Sequence, residues 1–289
     1  MTGKQVETER YFGCHVSSQG GLHHALVNGE ALKVNTIQVH PSPPQRWNNS
    51  AFNSSVTEAF LAEQENSHIV KKVFFHAIYL INLASPNSEQ VQRSQQSLIH
   101  YLNLNSSING CGVIVHVGSW KDQPDEGTAF KQAAEAINHL LNRTSAKVPL
   151  LLEVAAGSGA IVGDRFEELA EIFQGVEDKE RVGFALDTQH MWASGYDIAG
   201  QLEEVVVNLE SSLGIERIKA IHVNDSKVEL ASRKDRHENL GEGTIGLPAI
   251  KAFLNHKKLA HIPCILETPG LKALDTAAVE VEKLRSILT

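Results

Sequence analysis

Residues 150–187 read LLLEVAAGSGAIVGDRFEELAEIFQGVEDKERVGFALD. The stretch opens on an apolar run that stops at Glu153 and closes on a second run, 182–186, that stops at Asp187. Short apolar runs without alternation mark strands buried on both faces. Between them, residues 166–173 carry apolar side chains at helical spacing, behind an acidic turn at Asp164. A buried strand, a helix and a second buried strand form one β-α unit.

The same unit recurs along the chain. Strand candidates occupy residues 11–15, 36–40, 73–76, 112–116, 150–153, 182–187, 218–222 and 263–267. Each ends in a polar, metal-capable side chain: His15, His40, His76, His116, Glu153, Asp187, His222 and Glu267. The ends are 25, 36, 40, 37, 34, 35 and 45 residues apart, a roughly constant period. Helical patterns appear at 130–141, 166–173, 202–213 and 271–288. Eight β-α repeats predict an α/β protein with a single TIM (β/α)8 barrel over residues 11–289, behind a polar tail at 1–10. A doubly wound open sheet is the alternative. The barrel is preferred because all eight strand ends then converge on one site, whereas an open sheet gathers ligands at its switch point.

Composition narrows the function classes. The chain has 289 residues, 34 acidic against 26 basic, for a formal charge of −8. Hydrophobic content of 42% and charged content of 21% exclude global disorder. Cys14, Cys111 and Cys264 are too few and too far apart for a disulfide framework or a Cys-x-x-Cys knuckle. No signal peptide or transmembrane run is visible, so a cytoplasmic location is expected and no membrane partner. The acidic balance argues against a non-specific nucleic-acid coat. It leaves room for a nucleic-acid enzyme whose bound cations invert the local field.

Fourteen histidines are the unusual feature. Taken singly, His15 and His40 read as core histidines, and Glu153 or Glu267 could be satisfied by an ion pair. Taken together, His76, His116, Glu153, Asp187, His222 and Glu267 point into one barrel mouth. Three carboxylates repel one another there unless cations join them. Mixed nitrogen and oxygen ligation suits zinc, with manganese or iron as alternatives. Two further clusters lie just beyond strand ends: Asp187-Thr-Gln-His190, and Asp235-Arg-His237 in a long loop. Residues i and i+2 of an extended segment face the same way, so Asp235 and His237 can grip one ion. Gly241, Gly243 and Gly246 supply the tight turns such a loop needs. Nine ligands suffice for up to three ions, and multi-metal sites of this kind hydrolyse phosphate esters.

Five stretches then carry a family resemblance. They are HVSSQGGL (15–22), HAIYLINLASP (76–86), LDTQHMWASGYDI (186–198), HVNDSKVELASRKDRHENLGEGTIG (222–246) and ILET (265–268). Over residues 13–268 the chain resembles the endonuclease IV family, the zinc-dependent apurinic/apyrimidinic endonucleases of DNA repair. The resemblance implies three zinc ions: one held by His76, His116 and Glu153, a second by Glu153, Asp187, His222 and Glu267, and a third by His190, Asp235 and His237. It implies hydrolysis of the phosphodiester 5′ to an abasic site, leaving a 3′-hydroxyl, and cleaning of blocked 3′ ends. Glu153 would also orient or deprotonate the nucleophile. The partner would be double-stranded DNA, with the protein acting as a monomer. Tyr79 and Leu80 match side chains that the family inserts into the duplex to flip the lesion out. A second wedge, usually an Arg before Trp47, falls on Gln45 with Arg46 beside it. Arg233 and Arg236, with Lys227 and Lys234, are candidates for backbone phosphates.

Two motifs depart from the family pattern. The fourth strand end reads His116-Val-Gly-Ser-Trp120 instead of H-P-G-S-H, and the fifth reads Glu153-Val-Ala-Ala-Gly-Ser-Gly159 instead of E-N-T-A-G-Q-G. They spare every ligand and alter what surrounds it. Two rival functions use the same barrel: a divalent-metal sugar isomerase or epimerase, and a catalytically weakened DNA- or metal-binding relative. The set His190, Asp235 and His237 is the feature that separates the endonuclease from the isomerase.

Overall fold

In the computed structural model, which describes residues 9–43, 47 and 53–289, eight parallel strands close into one barrel. They are β1 (Phe12–His15), β2 (Thr36–Val39), β3 (Lys72–His76), β4 (Gly112–Val115), β5 (Leu150–Glu153), β6 (Val182–Asp187), β7 (Ile218–Val223) and β8 (Cys264–Leu266). Each pairs with its sequence neighbours, and β1 pairs with β8 to close the ring, with Gly13 beside Ile265. The expected TIM barrel is therefore present, and the open sheet is not. His40, His116 and Glu267 sit one residue past the ladder, where the backbone leaves the barrel.

The helices form the outer layer. The pattern expected at 130–141 is a longer helix, Glu126–Asn142, because the Asp125 side chain accepts the Thr128 amide at 2.8 Å and caps it. The expected helix 271–288 is broken: a 3-10 turn, Pro269–Lys272, is followed by an extended Ala273 and a helix at Leu274–Ile287. Helices at Ser88–Ser107 and Thr188–Ala193 have sequences too polar or too short to reveal themselves by periodicity. No helix among the described residues is long and apolar enough to cross a membrane.

Two apolar layers hold this together. Phe75, Val113, Leu152, Phe184, Leu186 and Ile221 face outward into a core shared with Leu98, Phe130, Ile137, Leu169 and Leu209 of the helices. Phe74, Ile114, Leu151, Ala185, Ala220 and Ile265 form a separate inner cluster, one residue from each of six consecutive strands. Strand side chains alternate with period two. The residue two places on from each inner residue therefore returns to the barrel axis, one layer higher. Those residues are His76, His116, Glu153, Asp187, His222 and Glu267. The floor of the barrel and its polar ring are consecutive turns of one alternation.

β1 and β2 contribute differently. Gly13 faces Thr36, and a Cβ there would stand 1.6 Å from the Thr36 carbonyl oxygen. Backbone cannot yield as a flexible side chain can. Gly13→Ala is expected to destabilise the fold by about 3 kcal/mol or more, read as a lower urea midpoint with little change in slope.

Candidate metal centre

Three groups of potential ligands lie at the mouth of the barrel. Within each, one atom per residue falls within 4.8 Å of the others: His76, His116 and Glu153; Glu153, Asp187, His222 and Glu267; and Asp187, His190 and His237. Asp235 closes on the third, with carboxylate oxygens 3.5 Å from His190 Nε2 and 3.3 Å from His237 Nε2. The two imidazole nitrogens are 3.3 Å apart. Glu153 joins the groups. Its Oε2 is 3.0 Å from His76 Nε2 and 3.4 Å from His116 Nε2, and its Oε1 is 2.8 Å from His222 Nδ1 and 3.5 Å from His190 Nδ1.

Hydrogen bonds to the far side of each ring select the nitrogen that faces inward. His76 Nδ1–H donates to the Ala77 carbonyl at 2.8 Å, and His190 Nδ1–H donates to the Val154 carbonyl at 2.9 Å. Both rings thus keep an Nε2 lone pair for the site. His222 is reversed: its Nε2–H donates to Gln38 Oε1 at 2.7 Å, which leaves Nδ1 toward the carboxylates. The Gln38 amide nitrogen donates to Glu267 Oε1 at 2.5 Å. Such outer partners fix ring orientation and tautomer for metal ligation. Gln38 is the functional residue that the strand-end reading missed. It is the inward residue of β2, two places on from Thr36 and fully buried. His40, the expected end of that strand, lies two places further out.

The electrostatics follow from this crowding. Burial alone would push the Glu153 carboxyl up, but His116, His222 and the hydrogen bonds of His190 and His222 hold it well below the usual range. Against burial, His222 and His76 hold Glu267 at about 2. Against burial, Glu267 and Glu153 raise His222 to about 9. Asp235 is also lowered despite burial, by His190 and then His237. Burial pushes His116 down. Among the described residues, the ion-pair partners of Glu153, Asp187 and Glu267 are all histidines. Two fully buried carboxylates, Glu153 and Asp187, and the part-buried Glu267 have no Lys or Arg partner among the described residues and need cations from elsewhere.

Local structure explains the spacing of the third group. Asp187 caps the short helix Thr188–Ala193, and its Oδ1 accepts the amides of Gln189 at 2.7 Å and His190 at 2.9 Å. The cap places His190 on the first turn, above Asp187. Asp187 Oδ2 faces His237 Nε2 at 3.7 Å and accepts the Asn224 side-chain amide at 2.7 Å. The loop carrying Asp235 is anchored at several points. Ala231 and Arg233 donate backbone N–H groups to Trp192 and Ala193 carbonyls, and the Arg233 guanidinium reaches Asp164 at 3.0 Å. Buried Asp225, also missed in the sequence, accepts the amides of Ser226, Gly241, Ile245 and Gly246 and so folds the glycine-rich segment back on itself.

The family described as Xylose isomerase-like TIM barrel matches residues 28–287. A probable endonuclease 4 from Chlorobium phaeobacteroides (strain BS1) is 36% identical over 265 residues, covering 90% of this chain and 92% of that protein. The chain belongs to the endonuclease IV family. Endonuclease IV from Thermus thermophilus superposes with a TM-score of 0.84 at 32% identity, over 97% of this chain and 99% of that one. An apurinic-apyrimidinic endonuclease of Caenorhabditis elegans is 34% identical over 265 residues, 91% of this chain and 67% of its own. The family is one of phosphodiester-cleaving hydrolases, and this member is an enzyme of that class.

The remaining candidates of this endonuclease IV family member fall into two sets. Tyr79 is 65% exposed at the rim, with the His40 and His76 rings beneath it at 5.9 and 6.2 Å. It borders two cavities. One, of about 600 Å³, is the mouth of the metal centre, lined also by Lys227, Lys272, Glu267 and His237. The other, of about 630 Å³, lies on the far side with Leu80 and Trp47. Arg233 is committed to Asp164, while Arg236 is exposed and bonds its own loop at the Asp235 carbonyl. Gln45 and Arg46 lie outside the described residues. The altered motifs leave the ligands in place: buried Val154 lends only its backbone oxygen to His190, and Ser158 is exposed. Half-buried Trp120 pairs its backbone N–H with Ala160 in the ribbon formed by the two loops.

Proposed function

We propose that this protein is a DNA-repair endonuclease that hydrolyses the phosphodiester 5′ to an abasic site, leaves a 3′-hydroxyl and also trims blocked 3′ ends. The observation that carries the reading is the third group, His190, Asp235 and His237, set beside the other two around Glu153 and Asp187. An isomerase-like site of one or two ions has no need of it. The donor set fits three divalent cations. His76, His116 and Glu153 hold one, Glu153, Asp187, His222 and Glu267 a second, and His190, Asp235 and His237 a third. Nitrogen-and-oxygen ligation and buried imidazoles favour zinc, with manganese or iron as substitutes. When bound, such cations neutralise phosphate charge and lower the pKa of water to near neutrality.

The protein's own groups supply position. Glu153 divides its two oxygens between metal groups and is the residue to orient the attacking water and receive its proton. Lys227 and Lys272 line the mouth and bind backbone phosphate, which sets register without reading sequence. Arg236 extends that contact along the loop. Tyr79, exposed between the two cavities, enters the duplex and stacks where the lost base stood. The ligand set is complete within one chain, so a monomer suffices, working on DNA in the cytoplasm.

The direct test is nicking of an end-labelled duplex carrying one abasic site, beside an undamaged duplex and chelator-stripped protein. A chelator-sensitive cut immediately 5′ to the lesion, with an extendable 3′ end, is expected. Absence of cutting by zinc-replete protein would overturn the reading. Tyr79→Ala is expected to lower kcat/KM on the abasic duplex by about 10–100-fold, in line with about 1–3 kcal/mol per stacked base. Bound metal should be unchanged, and an unaltered rate would remove Tyr79 from the DNA contact.

A further inference from the structure

His15 and His40 end the two strands that supply no member of the three ligand groups. Their rings lie 4.6 Å apart, and both line the 600 Å³ cavity with Glu267, His237 and Tyr79. Their hydrogen bonds give the two rings opposite characters. His40 Nδ1 faces the His76 carbonyl at 3.1 Å. A carbonyl only accepts, so the proton is on Nδ1 and the Nε2 of the neutral ring is an acceptor. His15 Nδ1 faces the Gln38 amide nitrogen at 3.3 Å. That amide cannot be flipped, because its nitrogen also donates to Glu267 and its oxygen accepts from His222. His15 Nδ1 is therefore the acceptor, and the ring proton sits on Nε2. Among the described residues neither Nε2 has a partner. The cavity presents one imidazole acceptor beside one imidazole donor.

An acceptor is an unusual fixture in a pocket for a DNA backbone. Phosphate oxygens, the sugar ring oxygen and the esterified 3′ and 5′ oxygens all accept and none donates. An intact nucleotide has no sugar hydroxyl within the strand. Loss of the base creates one, at the anomeric carbon. We propose that His40 and His15 read the abasic sugar, with His40 Nε2 accepting from the anomeric hydroxyl and His15 Nε2–H donating to an oxygen of the same nucleotide. The inference rests on the abasic-site function proposed above and assigns these two residues to specificity, apart from metal binding.

The test compares a natural abasic site with its tetrahydrofuran analogue, which lacks only the anomeric hydroxyl, in a cycle with His40→Phe. Phe keeps a planar ring and removes the acceptor. One neutral hydrogen bond predicts that wild type prefers the natural site by about tenfold in kcat/KM. In His40→Phe that preference should fall to near one, with the loss confined to the natural site. His40→Gln, which keeps an acceptor, should retain part of it. Metal content is measured alongside, because the His40 ring also braces the backbone of His76. An equal loss on both substrates, with or without loss of metal, overturns the inference, as does no change in the ratio. Wild type that cuts neither substrate sinks the abasic-site function itself, a result distinct from active wild type with no preference.

Discussion

Glu153→Gln is expected to lower kcat/KM on an abasic duplex by about 10³-fold or more, because a lost carboxylate ligand removes several kcal/mol of charge stabilisation and each ~1.4 kcal/mol is tenfold. The substitution keeps the shape and removes the charge. Glu153 is fully buried and touches four imidazoles with its two oxygens, at 2.8 to 3.5 Å. A carboxamide would turn a non-ligating N–H₂ toward either His76 Nε2 or His222 Nδ1, which the bonds to Ala77 and Gln38 leave as lone-pair nitrogens. Two metal groups lose a shared ligand at once. Bound metal, measured by atomic emission, should fall by at least one ion per chain. A variant that keeps both its metal and its rate would remove Glu153 from the centre.

Stripping the metal should abolish cutting and shift stability in a pH-dependent way. At free zinc a thousandfold above Kd, binding adds about 4 kcal/mol per site. In the metal-free protein, protons take over part of the cations' work. His222 is raised from 6.5 to about 9, so its contribution is complete below pH 6.5 and is lost as pH rises through 9. Glu267 is lowered from 4.5 to about 2, so its contribution is present above pH 4.5 and is lost as pH falls through 2. Between pH 6.5 and 9 the stripped protein weakens while the loaded one does not depend on that proton. The gap in Tm between the two forms should therefore widen across that window. Calorimetry on both forms at pH 6.5, 7.5 and 9 measures it. A constant or shrinking gap would show that the imidazoles are not the ligands.

Much of the barrel is legible because buried parallel strands leave continuous apolar runs, and β5 and β6 coincide with their sequence pattern from first residue to last. Five of the six inward ligands are visible because each is the first polar residue after such a run, while before His222 the run is interrupted by the exposed Lys219. β2 shows where that logic weakens. Its inward residue is Gln38, an amide embedded in the run, and the eye passes over it to His40. Counting by two from Thr36 would have found it. The Asp187-to-His190 spacing is legible in the sequence, but its cause, an Asp187 cap on a helix too short for periodicity, is not. Asp225 and the Arg233–Asp164 contact depend on loop closure over 20 and 69 residues, which local patterns do not encode. The Gly13 contact with Thr36 is likewise a product of strand register.

The two-residue offset between the inner apolar cluster and the polar ring divides labour within each strand. Folding is decided by the lower residue and chemistry by the upper one. The reagents of this enzyme are thus mounted on a floor that does not need to know what they are. Substitutions confined to the ring can change ion number, charge or substrate while the packing below stands, so the barrel is open to redesign one strand at a time. The reverse holds for the floor. Ala185 and Ala220 lie side by side in register beneath Asp187 and His222. Enlarging either would lift two ligands together, altering reactivity from a position that never meets the substrate.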